Sequence, residues 1–236
     1  MELVFVLVGT RHPGNLGAAA RALKTMGFSR LRLVRPCPFR TENAVDGERG
    51  IAWQMAMYSH DILDGATLHE TLADAVRDCA LVVGTTAKLR HHRHSVLTPP
   101  QLKGMLQDKH AMLARVALVF GPEDTGLVNE DIEACQLLTT VPLAAPQPSI
   151  NLAQAVMVYA YALSELAALA RHAAPAEAQS YGNAVAEIER AAQELGIDAD
   201  ARLRSWLDER VPLLPARDLR MLFNLLKVRR KRNTGG

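Results

Sequence analysis

The stretch VFVLVGTRHPGNLGAAARALKTMG, residues 4–27, decides the fold. Five uninterrupted apolar residues, Val4–Val8, run into a loop rich in glycine and proline. That loop runs into a segment whose Leu16, Ala20, Leu23 and Gly27 fall on one face at helical spacing. An apolar run without alternation is what a strand covered on both faces requires, and such strands belong to parallel sheets. Gly27 suits the position just past a helix end, where a left-handed residue is needed. The stretch therefore predicts a buried strand, a loop and a helix over Asn15–Met26.

Working outward, the same grammar repeats. Leu31–Val34, Leu81–Val83, Ala117–Phe120 and Leu137–Pro142 are further short Val/Leu-rich runs, with helical patterns at about 49–58, 68–77, 99–113 and 129–134. Strands alternating with helices predict an α/β domain with a mostly parallel sheet. A long helix is expected from Ser149, a good N-cap residue, to about Arg171. Its Leu152–Leu163 segment is nearly apolar all round, so it must be buried on several sides, and a second subunit is one way to bury it. Ala173-Ala174-Pro175-Ala176 reads as a linker, followed by helical patterns over about 176–195, 198–209 and 216–232. The expected division is residues 1–172 as the α/β domain and 173–236 as a small helical extension with a basic tail.

Composition bounds the function classes. With 236 residues, 49% hydrophobic and 22% charged, the chain can bury a sizeable core. No stretch approaches the roughly 18–20 continuous apolar residues of a membrane span. The start, Met1-Glu2-Leu3-Val4, lacks the features of a signal peptide, so a cytoplasmic address is expected. Cys37, Cys79 and Cys135 are odd in number and far apart, which argues for reduced core thiols. The net charge of +2 is unevenly spread: from Arg217 to the end, seven basic residues against Asp218 give +6, leaving −4 for the rest. A basic arm suits a polyanionic partner, although a solvated charge run has the same composition.

Four loops carry candidate chemistry. Gly9–Arg21 has a strand–loop–helix form able to bind phosphate at a helix start. It is no P-loop, because Asn15-Leu16 stands where Lys-Ser/Thr is needed, and no dinucleotide fingerprint, because GxGxxG is absent. Arg21 shares its helix face with Gly17, Ala18 and Thr25, small residues that leave room for a bulky ligand; an ordinary exposed arginine has the same spacing. Gly84-Thr85-Thr86-Ala87 follows one strand, Phe120-Gly121-Pro122-Glu123-Asp124-Thr125-Gly126-Leu127 another, and Pro142–Asn151 leads into the long helix. Ligands of α/β proteins bind at such strand ends, and convergence of the four loops on one sheet edge predicts a pocket. Histidines cluster in Lys88-Leu89-Arg90-His91-His92-Arg93-His94, but no carboxylate or cysteine completes a ligand set nearby, so no metal is expected.

These loops resemble the three ordered motifs of the SpoU/TrmH branch of the SPOUT methyltransferases, closest to the TrmJ type. The resemblance rests on His12–Gly17, Ala20-Arg21-Ala22 and Lys24–Gly27, on Phe120-Gly121-x-Glu123-x-x-Gly126-Leu127, and on Val141-Pro142 with Ser149–Val156. It spans residues 4 to about 165, and Arg217–Arg229 is similar to the end of a TrmJ-type C-terminal domain. It implies an α/β fold with a deep C-terminal trefoil knot, a homodimer, and S-adenosylmethionine held by Thr85, Thr86, Ala87, Gly121, Val141, Pro148, Ser149 and Ile150. It implies methylation of a ribose 2′-hydroxyl in tRNA, at nucleotide 32 of the anticodon loop, with Arg21 central and Asn15, Glu123 and Ser149 beside it. Arg11, His12, Lys88, Arg90, Arg229 and Arg230 are the expected RNA contacts. Ribosomal RNA as substrate, or a catalytically silent RNA-binding protein on the same fold, are the alternatives. The chain departs from the TrmJ type where Pro122-Glu123-Asp124 replaces the common Arg-Glu-Arg, and its C-terminal extension is shorter.

Overall fold

The computed structural model describes residues 1–39, 50–87, 96–144, 150–170 and 180–233. In chain order the elements are β1 (Glu2–Val8), α1 (Pro13–Thr25), β2 (Leu31–Val34), α2 (Ile51–Ala56), α3 (His60–Asp64), β3 (Thr67–His69), α4 (Leu72–Val76), β4 (Leu81–Thr85), β5 (Val96–Leu97), α5 (Pro99–Asp108), β6 (Arg115–Phe120), α6 (Asn129–Glu133), β7 (Leu137–Thr139), α7 (Leu152–Ala170), α8 (Ser180–Glu194), α9 (Ala201–Arg210) and α10 (Ala216–Asn233). The strands form one sheet in the order β3-β2-β1-β6-β4-β7-β5. Every pairing among the described residues is parallel.

β1 explains the unbroken apolar run. Phe5 and Leu7 join the larger core with α1, α5 and α7, while Val4, Val6 and Val8 point to the opposite face and pack with Leu72, Ala75 and Val76 of α4. Period-two side chains on a doubly covered strand must all be apolar. α1 starts at Pro13, two residues before its predicted start. It ends as predicted: Gly27 has φ +83°, its N–H donates to the Lys24 carbonyl, and Phe28 N–H donates to that of Leu23.

Three expectations need correction. The helix expected over 68–77 is strand β3 followed by α4, because the Thr71 side chain accepts from Asp74 N–H and starts a helix only there. The helix over 198–209 is broken: a 3₁₀ turn, Ile197–Ala199, precedes α9, which Asp200 caps by accepting from Arg202 and Leu203 N–H. α7 begins at Leu152 and is capped by Asn151, whose Oδ1 accepts from Ala153 and Gln154 N–H, rather than by Ser149. α7 buries Leu152, Val156, Tyr159, Ala160, Leu163 and Leu166, leaving Val158 and Tyr161 exposed. The linker at 173–176 lies outside the described residues. Among the described residues, no helix is long and apolar enough to cross a membrane.

The two ends of the sheet differ. At the N-terminal ends of β1, β2 and β6, Glu2 accepts from Arg30 and Arg115 (both 2.6 Å), and Asp78 accepts from Arg32 (2.5 and 2.9 Å) and from Arg115. Hydrogen bonding to Arg32 holds the Asp78 carboxyl well below the usual range. The C-terminal ends of β1, β6, β4 and β7, four neighbours in the sheet, carry the four candidate loops.

The helical extension is keyed into this body. Tyr181, Ile188, Val211 and Leu219 join the larger core, Ala216 N–H donates to Asp108 (2.7 Å), and the buried Lys109 Nζ donates to the Pro212 carbonyl (2.6 Å). Burial, opposed by nearby Asp108, pushes the Lys109 ammonium down to about 8 from 10.5. A lysine whose folded value is depressed contributes stability at high pH and loses it as pH falls through the folded value. The unfolding free energy of the wild type minus that of Lys109→Met is therefore expected to rise from pH 8 to 10.5. Urea unfolding of both proteins across that range checks this, and a flat difference refutes the assignment.

Candidate active site

The second motif owes its shape to glycine. A Cβ at Gly121 would stand 2.2 Å from the Leu127 nitrogen and 2.3 Å from the Gly126 carbonyl carbon, so the loop after β6 folds back upon itself only without a side chain there. Gly126 has φ +69°, and its N–H donates to the Pro122 carbonyl (2.9 Å). This tight loop presents Glu123 toward the start of α1.

Glu123 is the hub of a chain of side-chain hydrogen bonds. Asn15 Nδ2 donates to Glu123 Oε1 (2.6 Å), and Arg11 N–H donates to Oε2 (3.1 Å). Asn15 Oδ1 accepts from Asn151 Nδ2 (3.0 Å), and Asn151 Oδ1 caps α7. Three loops that are far apart in sequence are thus fastened by three side chains. Burial pushes the Glu123 carboxyl up, but donation from Asn15 and from the backbone of Glu123, Arg11 and His12 outweighs it and holds the group below its ordinary value. Its donors are neutral, so Glu123 keeps a full negative charge and is occupied as an acceptor, which suits positioning rather than proton abstraction. Asn151 is absent from the site residues expected from sequence. Its signal was its place between the third motif and an apolar helix.

Behind this chain lies a cavity of about 260 Å³. Phe120, Leu127, Leu152 and Tyr159 give it apolar walls, and Thr85, Thr86 and the Gly121–Gly126 loop give it a polar side. The Tyr159 hydroxyl donates to Thr139 Oγ1 (3.1 Å), and the Phe120 and Tyr159 rings meet edge to face. Six residues expected to contact a cofactor, Thr85, Thr86, Ala87, Gly121, Val141 and Ile150, line this one cavity. Pro148 and Ser149, and the RNA candidates Lys88 and Arg90, lie outside the described residues.

Arg21 is exposed, and its guanidinium has no partner among the described residues. One expectation about its surroundings fails. Gly17 does not leave room for a ligand: a Cβ there would stand 1.9 Å from the Ala52 carbonyl oxygen and 2.9 Å from the Ala56 nitrogen. The residue is glycine because the α1 and α2 backbones touch there. Of the other expected RNA contacts, Arg11 and His12 are exposed in the first loop, with Arg11 paired to Asp124 (3.0 Å). Asp124, the acid that replaces an arginine in the departure from Arg-Glu-Arg, thus neutralises a cation of the neighbouring loop. Arg229 and Arg230 lie on α10 near Glu194 (3.9 Å) and Glu187 (3.7 Å) of α8, far from this loop cluster in the chain. Among the described residues there is no group of His, Cys, Asp and Glu arranged to hold a metal.

Residues 2–161 match the SpoU rRNA Methylase family, and residues 187–232 match the tRNA/rRNA methyltransferase LasT C-terminal domain. The chain is 38% identical over 230 residues to LasT of Escherichia coli, an uncharacterized tRNA/rRNA methyltransferase, covering 96% of each protein. It is 38% identical over 176 residues to TrmJ of Pseudomonas aeruginosa, a tRNA (cytidine/uridine/adenosine-2′-O-)-methyltransferase, covering 75% of this chain and 65% of that one. Among solved structures, TrmJ from Z. mobilis ZM4 superposes with a TM-score of 0.63 at 28% identity, over 97% of this chain and 99% of that one.

Proposed function

The chain belongs to the SpoU rRNA methylase family, and from that premise we propose that it methylates a ribose 2′-hydroxyl of tRNA, at nucleotide 32 of the anticodon loop. The observation that carries this reading is the Asn151–Asn15–Glu123 chain, which fastens three motif loops around one cavity while leaving the Arg21 guanidinium exposed. The methyl donor of this reading is S-adenosylmethionine, and the cavity lining fits it. Main-chain groups around Gly121 can satisfy the edge of an adenine, Val141 and Ile150 can cover its faces, and the negative charge of Glu123, which pairs with no cation among the described residues, favours a cationic ligand. Thr85, Thr86 and Ala87 with Gly121, Val141, Pro148, Ser149 and Ile150 would hold it. Bound there, it supplies an electrophilic methyl group.

The chain's own part is positioning and charge. A guanidinium stays protonated and cannot act as the base. Arg21 instead grips the phosphate beside the target ribose with two N–H groups and stabilises the negative charge that develops on the 2′-oxygen as its proton passes to solvent water. Asn15 and Glu123 hold the first loop, and so the start of α1, in register with Gly121, while Ser149 orients the ribose. Arg11, His12, Lys88, Arg90, Arg229 and Arg230 supply phosphate contacts, which give affinity and salt dependence without sequence choice. In this reading residues 1–172 are the catalytic domain with its C-terminal knot, and residues 173–236 are an RNA-gripping extension. The protein works in the cytoplasm as a homodimer, with the exposed Val158 and Tyr161 of α7 in its interface. A monomer by light scattering at micromolar concentration refutes the dimer.

The test is transfer of labelled methyl from S-adenosylmethionine to unmodified tRNA and ribosomal RNA, with the product nucleotide mapped. Label is expected at the 2′-oxygen of tRNA nucleotide 32. The full-length likeness to a tRNA/rRNA methyltransferase favours ribosomal RNA as the second reading, and label there alone selects it. No label on either RNA, with cofactor binding intact, selects another RNA substrate or the silent RNA-binding protein.

A further inference from the structure

On α1, Gly14, Gly17, Arg21 and Lys24 share one face, since steps of three and four residues return to nearly the same direction at about 100° per residue. Two of their contacts trace the path of the chain beside that face. Gly17 touches Ala56 at the end of α2, and Lys24 Nζ pairs with Asp61 of α3 (2.6 Å). Arg21 lies between these anchors on α1, and Met57, Tyr58, Ser59 and His60 lie between them on the other strand of chain. Ser59 is buried and the His60 Nε2 is bonded to the Trp53 carbonyl oxygen (3.0 Å), which leaves Met57 and Tyr58 as the exposed residues of that stretch.

This corner is unusual in two independent ways. Met57 adopts φ +50°, a region that costs a non-glycine residue energy and that tends to be kept where function demands it. Tyr58, next to it, is 90% exposed and has no ring or hydrogen-bond partner among the described residues. Ile51 and Met55 of α2, 60% and 48% exposed, extend the apolar surface back to Gly14, where a Cβ would lie 3.5 Å from Ile51 and 3.7 Å from Met55. An exposed aromatic side chain and two exposed methionines thus lie on the stretch of chain that runs beside the Gly17–Lys24 face of α1, the face that carries Arg21.

We propose that Tyr58, backed by Met55 and Met57, is a stacking platform for a nucleobase of the RNA substrate, the base of the target nucleotide or of its neighbour. The inference rests on the RNA reading above. If Arg21 holds the phosphate beside the target ribose, the bases of that strand segment lie about one nucleotide away, and Tyr58 stands on the stretch of chain that runs beside the Arg21 face of α1. Unpaired bases of an RNA loop are commonly held on aromatic faces. The Arg21 cation on the neighbouring face favours a polyanion over a second copy of this chain, whose own Arg21 would bring like charge.

Steady-state methyl transfer with varied RNA tests this in wild type, Tyr58→Ala and Tyr58→Trp, with RNA binding by filter retention and mass by light scattering. Tyr58→Ala is expected to raise KM and Kd for RNA about tenfold with kcat nearly unchanged, and Tyr58→Trp to restore both. S-adenosylmethionine affinity should not move. Unchanged RNA affinity in Tyr58→Ala, in an enzyme that methylates RNA normally, overturns the platform and leaves the function standing. A shift of oligomeric state instead overturns it in favour of a subunit contact. A wild type that neither methylates nor binds RNA overturns the functional reading and the platform with it.

Discussion

Arg21→Lys is expected to lower kcat for methyl transfer by about 100-fold or more, with S-adenosylmethionine affinity unchanged. The charge is retained in this variant; what is lost is the planar pair of N–H groups that can hold a phosphate and steady a developing oxyanion together. No part of the effect should come from the fold, because Arg21 is exposed and makes no side-chain bond among the described residues. Thermal midpoints of the two proteins should therefore agree within a degree or so. Near-normal turnover by the lysine variant would show that a point charge suffices and that the two-pronged grip is wrong. A large loss accompanied by weaker cofactor binding would place Arg21 in the cofactor site instead.

Gly121→Ala is expected to damage stability and ligand binding together. Its φ is not in the left-handed region, so the cost is one of space: the new methyl would meet main-chain atoms at 2.2 and 2.3 Å, and main chain cannot rotate aside. Relief requires opening the loop that carries Glu123 and one side of the cavity. The thermal midpoint should fall by about 3–10 °C. S-adenosylmethionine affinity by calorimetry should fall at least about tenfold, since the loop forms one side of the pocket. Gly126→Ala is the control: nothing lies within 4 Å of a Cβ there, so its cost is conformational and smaller. Equal effects of the two substitutions would count against the steric account.

The strands of the central sheet were legible because they are doubly covered and therefore apolar without interruption. β3 and β5 were not, because three and two residues give no period to read, and Thr67 and Leu68 are exposed. The site divides in the same way. Loops after strands are visible in sequence, so their convergence could be expected, while the six cavity residues and the roles of Asn15 and Glu123 were named only through the resemblance. The capping of α7 by Asn151 was invisible because Ser149, two residues earlier, fits a cap equally well by composition. Gly17 was misjudged because a small helical residue on an arginine's face can mean open space or a touching backbone, and only the neighbour's position decides. Tyr58 carried no signal, since it follows α2 in a turn with Met57 at φ +50°, which periodicity cannot report.

The Gly17 contact also bears on how such a chain can diverge. It sets the station of α1 by main chain against main chain, with no rotamer in between. Exterior residues of α2 and the corner after it can then drift, one substitution at a time, without displacing Arg21. A lineage built this way can explore new substrates on the outer surface while its chemistry is inherited intact, and its evolvable positions and its immutable ones sit a single helical turn apart.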